Sequence, residues 1–356
     1  MVTPKETLTL SWKKQSLFSL IIVVLLLGMG EAVLRTWAFF FRTSYERYNF
    51  TAGRLELIPN IKYTTRSGDE FLINSRGFLG PEFDERPTGG VYRIIAIGDS
   101  CTFSGGIWNK AYPGILGNLL NNNRADRKYE VINGGIEGYN STFALDRIEQ
   151  EIVRYDPRLV IVYIGWNDLM KTNPDNLSNT GRYTFLSQFL ERSYLVKAYS
   201  KVMFQHLRPL IFWPKVVASE GEERAFETFV PRAYEENLNS AIEILRQHGT
   251  KVILVTLPTV VHPRMTQEEI RKQHVFFPYF AGTYSVAKFL SLHKAYNGVV
   301  HAVGKKLSVP VVDLDQIFDS YGDQKSRLFW DTMHPSGEGH FLIAKSLFPI
   351  VQKELN

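Results

Sequence analysis

The chain has 356 residues, 44% of them hydrophobic and 22% charged, which excludes a disordered chain and leaves room for one large domain with additions, or for two domains. Its net charge of +5 is scattered in pairs such as Lys13-Lys14, Arg271-Lys272 and Lys305-Lys306, with neither a basic stripe nor a phosphate loop, so no nucleic-acid partner is expected. A single cysteine, Cys101, excludes an intrachain disulfide framework and any C-x-x-C metal site.

Lys13-Lys14 precede residues 17–30, which carry no charge, and apolar character resumes to Phe41 past Glu31 and Arg35. Residues 17–41 as one helix span about 37 Å, enough to cross a bilayer. Glu31 and Arg35 stand four apart and are expected to pair on one helical face. Residues 1–42 are therefore read as a cytoplasmic tail and signal anchor, since Gly28-Met29-Gly30 makes a poor cleavage site. Lys13-Lys14 places the amino end in the cytoplasm and the remaining chain in an extracytoplasmic space, while Arg35, Arg42 and Arg47 after the span pull the other way.

Residues 43–91 lack helical period and are punctuated by Gly68, Gly77, Gly80-Pro81, Pro87 and Gly89-Gly90, so they read as a β-rich preface packed on the main domain. From residue 92 onward, short apolar runs alternate with helical patterns. Strands are expected at 93–98, 129–133, 159–165, 251–257 and 309–314, apolar on both faces as in a buried parallel sheet. Helices are expected at 113–121, 141–155, 231–248, 286–307 and 337–355, with Ser141 as the cap of the second and Asp156-Pro157 ending it. The alternation predicts an α/β fold: a three-layer α/β/α sandwich with a five-stranded parallel sheet, over residues 92–356. Two insertions interrupt it, at about 170–229 (with an amphipathic stretch at 185–204) and at about 262–284, each a candidate lid.

Open parallel sheets bind ligands at the carboxyl ends of their strands. The residues expected there are Gly98-Asp99-Ser100, Gly134-Gly135-Ile136-Glu137-Gly138, Gly165-Trp166-Asn167-Asp168 and, one loop beyond the fifth strand, Asp331-Thr332-Met333-His334. Their types suit acyl transfer. A serine hydroxyl needs a base, histidine serves near neutral pH, and the histidine needs a carboxylate to fix its tautomer. Asp331 lies three residues before His334, within reach of one turn. Oxyanion donors are available from the amides of Ser100 and Gly138 and the side chain of Asn167. Cys101 is a rival nucleophile by position only; it reads as a small apolar residue packed beneath the site. The remaining histidines show no ligand spacing, so neither metal nor cofactor is expected.

In this order, the four clusters resemble the blocks of the SGNH/GDSL hydrolase family, over about residues 92–350. The segment Asn74-Ser75-Arg76-Gly77-Phe78 looks like the preface of membrane-anchored bacterial members. The resemblance implies a flavodoxin-like fold, Ser100 as nucleophile, Asp331 and His334 as its triad partners, and Ser100, Gly138 and Asn167 as the oxyanion hole; Gly138 fits the family spacing best among three glycines. Glu137 and Asp168 are assigned to loop organisation. The expected function is a serine esterase removing O-acyl groups from a cell-surface carbohydrate or lipid. The alternatives are an O-acyltransferase with the same triad and a catalytically silent binding subunit in polysaccharide export. No oligomeric state follows from the sequence.

Overall fold

The computed structural model describes residues 11–40, 45–49, 54–64, 68–123, 127–172, 193, 195–196, 199, 220–277 and 285–356. Most of the first expected insertion, nearly all of its amphipathic stretch, and residues 278–284 of the second lie outside the described residues. The chain divides into two compact units, residues 1–44 with 181–213, and residues 45–180 with 214–356.

In the first unit, helix α1 (Trp12–Phe40) includes a stretch, Trp12–Thr36, of mean hydropathy 2.5 that is long and apolar enough to cross a membrane. Its side chains from Leu17 to Leu27 are exposed. Glu31 and Arg35 form the expected pair at 2.7 Å. The other Glu31 oxygen accepts from the Ser193 hydroxyl and the Leu195 amide, both at 2.9 Å.

The second unit begins with two antiparallel pairs. β1 (Glu46–Asn49) pairs with β2 (Arg54–Leu57), and β3 (Ile61–Thr64) pairs with β4 (Glu70–Ile73). A tight turn follows in which buried Asn74 accepts from the amides of Arg76 and Phe78, both at 3.0 Å, and donates to the Pro81 carbonyl. Leu79 then bridges Ile73 on one side and Asn133 on the other. The preface therefore pairs at Leu79 with the outer edge of the main sheet, where unpaired backbone groups would invite pairing with another chain.

Five parallel strands form that sheet: β5 (Val91–Gly98), β6 (Lys128–Gly135), β7 (Leu159–Tyr163), β8 (Lys251–Val255) and β9 (Val311–Val312), in the order β6-β5-β7-β8-β9. All five residues of β7 are buried, as the apolar run required. A short helix, α2 (Ser100–Phe103), leaves β5 directly. The layers on the sheet are built by α3 (Tyr112–Asn123), α4 (Ser141–Gln150), α5 (Trp166–Met170), α6 (Arg232–Gln247), α7 (Gln267–Lys272), α8 (Val286–Leu307), α9 (Leu314–Asp319) and α10 (Gly337–Leu355). α3 packs with α10, while α4, α6 and α8 pack as a second set. This strand order reverses between β5 and β7, and that crevice is where a doubly wound sheet holds its ligand.

Three local expectations change. The fifth strand shrinks to Val311–Val312, because Pro310 has no N–H for the ladder and Asp313 caps α9 by accepting from the Gln316 amide. The helix from Ser141 ends at Gln150, where Glu151 leaves helical dihedrals, and continues as a 3-10 turn at Ile152–Tyr155. Its cap is Asn140, which accepts from the Phe143 amide; the Ser141 hydroxyl is instead bonded to Asp168.

Candidate active site

Ser100 stands at the first position of α2, immediately beyond β5. Asp99 caps this helix by accepting from the Cys101 amide at 2.9 Å. The strand-to-helix turn is very close. A Cβ on Gly98 would lie 2.0 Å from the Thr102 hydroxyl and 2.5 Å from the Tyr163 carbonyl oxygen, so only glycine fits there. The Ser100 amide is the first of its helix and has no intrahelical partner.

The Ser100 hydroxyl lies 2.8 Å from His334 Nε2, and His334 Nδ1 lies 2.7 Å and 2.9 Å from the two oxygens of Asp331. A chain of hydrogen bonds thus runs from serine to carboxylate across residues far apart in sequence. Asp331 Oδ1 also accepts from the amides of Met333 and His334, both at 3.0 Å, so the turn aims its own carboxylate. The turn is closed by the bridge between Phe329 and Pro335 and by the Trp330 amide donating to the His334 carbonyl at 2.8 Å.

Electrostatics follow this geometry. Burial pushes the Asp331 carboxyl up, but the hydrogen bond and charge of His334 and two backbone amides outweigh it and leave it below the usual carboxylate range. Burial pushes the His334 imidazole down, while the hydrogen bond and charge of Asp331, with the charges of Asp99 and Glu137, leave it above its ordinary range. Each partner therefore favours the charged form of the other. Asp99 is fully buried, and burial raises its carboxyl to about 6 against its hydrogen bonds.

The neighbouring strand ends bring the other expected residues to the same edge. Gly98 is in register with Gly135 of β6 and Tyr163 of β7, and its carbonyl accepts from the Ile136 amide. Gly134 and Gly135 belong to β6, and the Gly135 amide donates to the Asn133 side chain. Gly138 lies beyond the strand, in a turn at φ 73°, where only a residue without Cβ is unstrained. Asn167 donates from Nδ2 to the Tyr139 carbonyl at 2.8 Å, which fixes the amide and leaves it a second N–H. Asp168 accepts from both the amide (2.8 Å) and hydroxyl (2.6 Å) of Ser141, tying the loop after β7 to the start of α4. Sequence reasoning assigned Asp168 to loop organisation but had no signal for its partner.

Cys101 is fully buried, its Sγ donates to the Met333 carbonyl, and burial raises its thiol far above the ordinary value. A protonated, enclosed thiol is no nucleophile. Two further residues were missed. Asn133 donates from Nδ2 to the Thr102 carbonyl at 2.8 Å, bracing α2 from β6. Thr332 binds the segment after β8. A polar cleft of about 430 Å³ near the opposite end of β5, lined by Ser75, Arg76, Glu82, Arg93 and Glu130 among others, has no histidine beside its serine. Among the described residues no group of three or more histidine, cysteine or carboxylate side chains is placed to hold a metal ion.

Residues 96–342 match the model of the GDSL-like Lipase/Acylhydrolase family, and the chain belongs to that family. It is a hydrolase acting on ester bonds. A GDSL esterase/lipase of Arabidopsis thaliana is 23% identical over 230 residues, covering 64% of this chain and 68% of that one. An uncharacterized lipoprotein of Bacillus subtilis (strain 168) is 24% identical over 230 residues, covering 62% and 69%. Among solved structures, an acetylxylan esterase of Geobacillus stearothermophilus has a TM-score of 0.44 at 16% identity, covering 72% of this chain and 93% of that one. A GDSL-like lipase of Bacteroides thetaiotaomicron has a TM-score of 0.41 at 18% identity, covering 75% and 91%.

Proposed function

We propose that this hydrolase is a serine esterase in which Ser100 attacks the ester carbonyl, His334 moves the proton, and Asp331 holds the imidazole. The observation that carries the reading is the unbroken hydrogen-bond chain from Ser100 through His334 to Asp331. His334 Nε2 takes the serine proton as the bond to the carbonyl carbon forms, and returns it to the leaving alcohol. Asp331 accepts from Nδ1–H throughout and stabilises the imidazolium. The developing oxyanion is held by the Ser100 and Gly138 amides and the free N–H of Asn167. A reaction of the acyl-serine with water, activated by the same histidine, completes the cycle.

The substrate class proposed is an O-acyl group on a carbohydrate or lipid outside the cytoplasm. Two features support it. Helix α1 is long enough to anchor the chain in a bilayer, with Lys13-Lys14 marking its amino end as cytoplasmic. Trp330, directly before Asp331, is 69% exposed, an apolar face of the kind that sugar rings stack against.

Full-length protein in detergent should be labelled by a fluorophosphonate at Ser100 and should release acetate from acetylated oligosaccharides. Equal labelling of Ser100→Ala would sink the triad, and absence of labelling would favour a silent binding subunit. Acyl transfer to an added glycan faster than release to water would make the enzyme a transferase. Protease protection of the amino terminus, rather than of residues 45–356, in inside-out vesicles would reverse the proposed orientation.

A further inference from the structure

Thr332 lies between the two triad residues of its turn, yet it points away from the chemistry. It is fully buried and makes four hydrogen bonds to a segment that begins where β8 ends. Its carbonyl accepts from the Thr259 hydroxyl at 2.7 Å and the Val260 amide at 3.1 Å. Its hydroxyl accepts from the Phe276 amide at 2.7 Å and donates to the Phe276 carbonyl at 2.9 Å. The side chain thereby imitates one rung of a β-ladder, and joins both ends of residues 259–276 to the turn.

We propose that Thr332 is a positioning residue for the esterase reaction: it fixes the path of the turn from Asp331 to His334, with residues 257–277 as its abutment. The inference rests on the triad reading above. Asp331 is aimed by accepting from the amides of Met333 and His334. The first of those amides belongs to the peptide that Thr332 begins, so a change in the Thr332 backbone moves the donors that orient the carboxylate. The abutment is itself tied to α8. The Leu257 amide donates to Asn297 Oδ1, and the Leu257 carbonyl accepts from Asn297 and from His293, both on α8. Position in the turn is thus referred to a 22-residue helix through three hydrogen bonds that meet at Leu257. Met333, whose carbonyl accepts from Cys101, supplies a second brace from α2.

Thr332→Val keeps the shape and removes both hydroxyl bonds, and Thr332→Ser keeps them. With p-nitrophenyl acetate and the full chain, valine should lower kcat by roughly 10- to 100-fold while KM stays within about twofold, and serine should restore most of kcat. The acid limb of kcat/KM should also move to lower pH in the valine variant, because His334 loses part of its hold on Asp331. The other groups that face His334 are Asp99 from the β5–α2 turn, Glu137 from the loop after β6, and His340 on α10, which burial keeps neutral by lowering it to about 4. None of these is altered by the substitution. A folded valine variant with wild-type kcat and an unmoved limb overturns the inference, as does a variant that merely melts earlier with both unchanged. If valine prevents folding, Thr259→Val removes the hydroxyl bond to the Thr332 carbonyl and must shift kcat and the limb in the same directions; unchanged values there overturn it equally. Activity remaining in Ser100→Ala would instead remove the triad reading, a failure distinct from either of these.

Discussion

The Sγ of Cys101 lies 3.5 Å from the carbonyl oxygen of Met333, so the residue after Ser100 is bonded to the residue before His334. The proposed nucleophile and base are thus held together from beneath, by a side chain to which the proposed reaction gives no part. Iodoacetamide is expected to leave the native protein unmodified and its esterase activity intact, and to modify the chain after unfolding. Cys101→Ala should still react with a fluorophosphonate, at a cost of about 1–2 kcal/mol in stability for the small cavity. Rapid alkylation of native protein with loss of activity would contradict the burial of this thiol.

Asn167 has one N–H committed to Tyr139 and a second available, so its loss would remove a proposed oxyanion donor that is already oriented. Asn167→Ala should lower kcat about 10²- to 10³-fold with little change in KM. A drop in KM-limited rates alone, with kcat intact, would assign the residue to ground-state binding.

On the proposed mechanism the activity of the wild type should fall as pH drops through a value above the ordinary histidine pKa of 6.5, since His334 as base must be neutral to accept the proton and Asp331 raises it. In Asp331→Asn the raising carboxylate is gone, so the acid limb moves down, and kcat falls by about 10⁴ as the imidazole loses its tautomer. A pH–rate profile of both proteins decides this; coincident limbs would mean that His334 is not the titrating base.

Asp99 has a native carboxyl raised from 3.8 to about 6 by burial. Between those values the native state binds more protons than the unfolded chain, so this group's contribution to stability falls as pH rises through that window and is constant above it. Asparagine keeps the cap to Cys101 and cannot ionise. The melting temperature of Asp99→Asn should therefore gain on that of the wild type between about pH 4 and 6. Parallel melting curves across this range would show that Asp99 does not titrate on unfolding.

The sheet was legible because its strands are buried on both faces and their apolar runs leave no helical alternative, as at Leu159 to Tyr163. The helix from Val286 to Leu307 was legible in its bounds, capped by Ser285. The candidate site was legible as blocks because three of them stand at or directly after strand ends, whereas Asp331 to His334 lie beyond α9 and a 3-10 turn and were placed by their spacing alone. What could not be read depends on contacts between distant residues. Ser141 looks like a cap in sequence, yet Asp168, 27 positions later, takes its hydroxyl. Nothing local predicts that Thr332 will bond to Phe276, since the two stand 56 positions apart and Phe276 falls in the second insertion, where no strand or helix is expected. The two-residue length of β9 follows from Pro310 and the capping side chain of Asp313, both visible in the sequence but outweighed there by four apolar neighbours.

Asn133 receives Leu79 on its backbone and holds the α2 carbonyl of Thr102 with its side chain. The segment that follows the amino-terminal hairpins is thereby one residue, Asn133, away from the helix that carries Ser100. For anyone designing a soluble fragment, the practical boundary is the start of the compact unit at Tyr45, ahead of β1, rather than the first strand of the main sheet. A cut at Val91 would strip Leu79 from the edge of β6 and loosen the bracing of the Ser100 helix in the same stroke, and a shortened protein of that kind is a poor vehicle for kinetics or crystallisation.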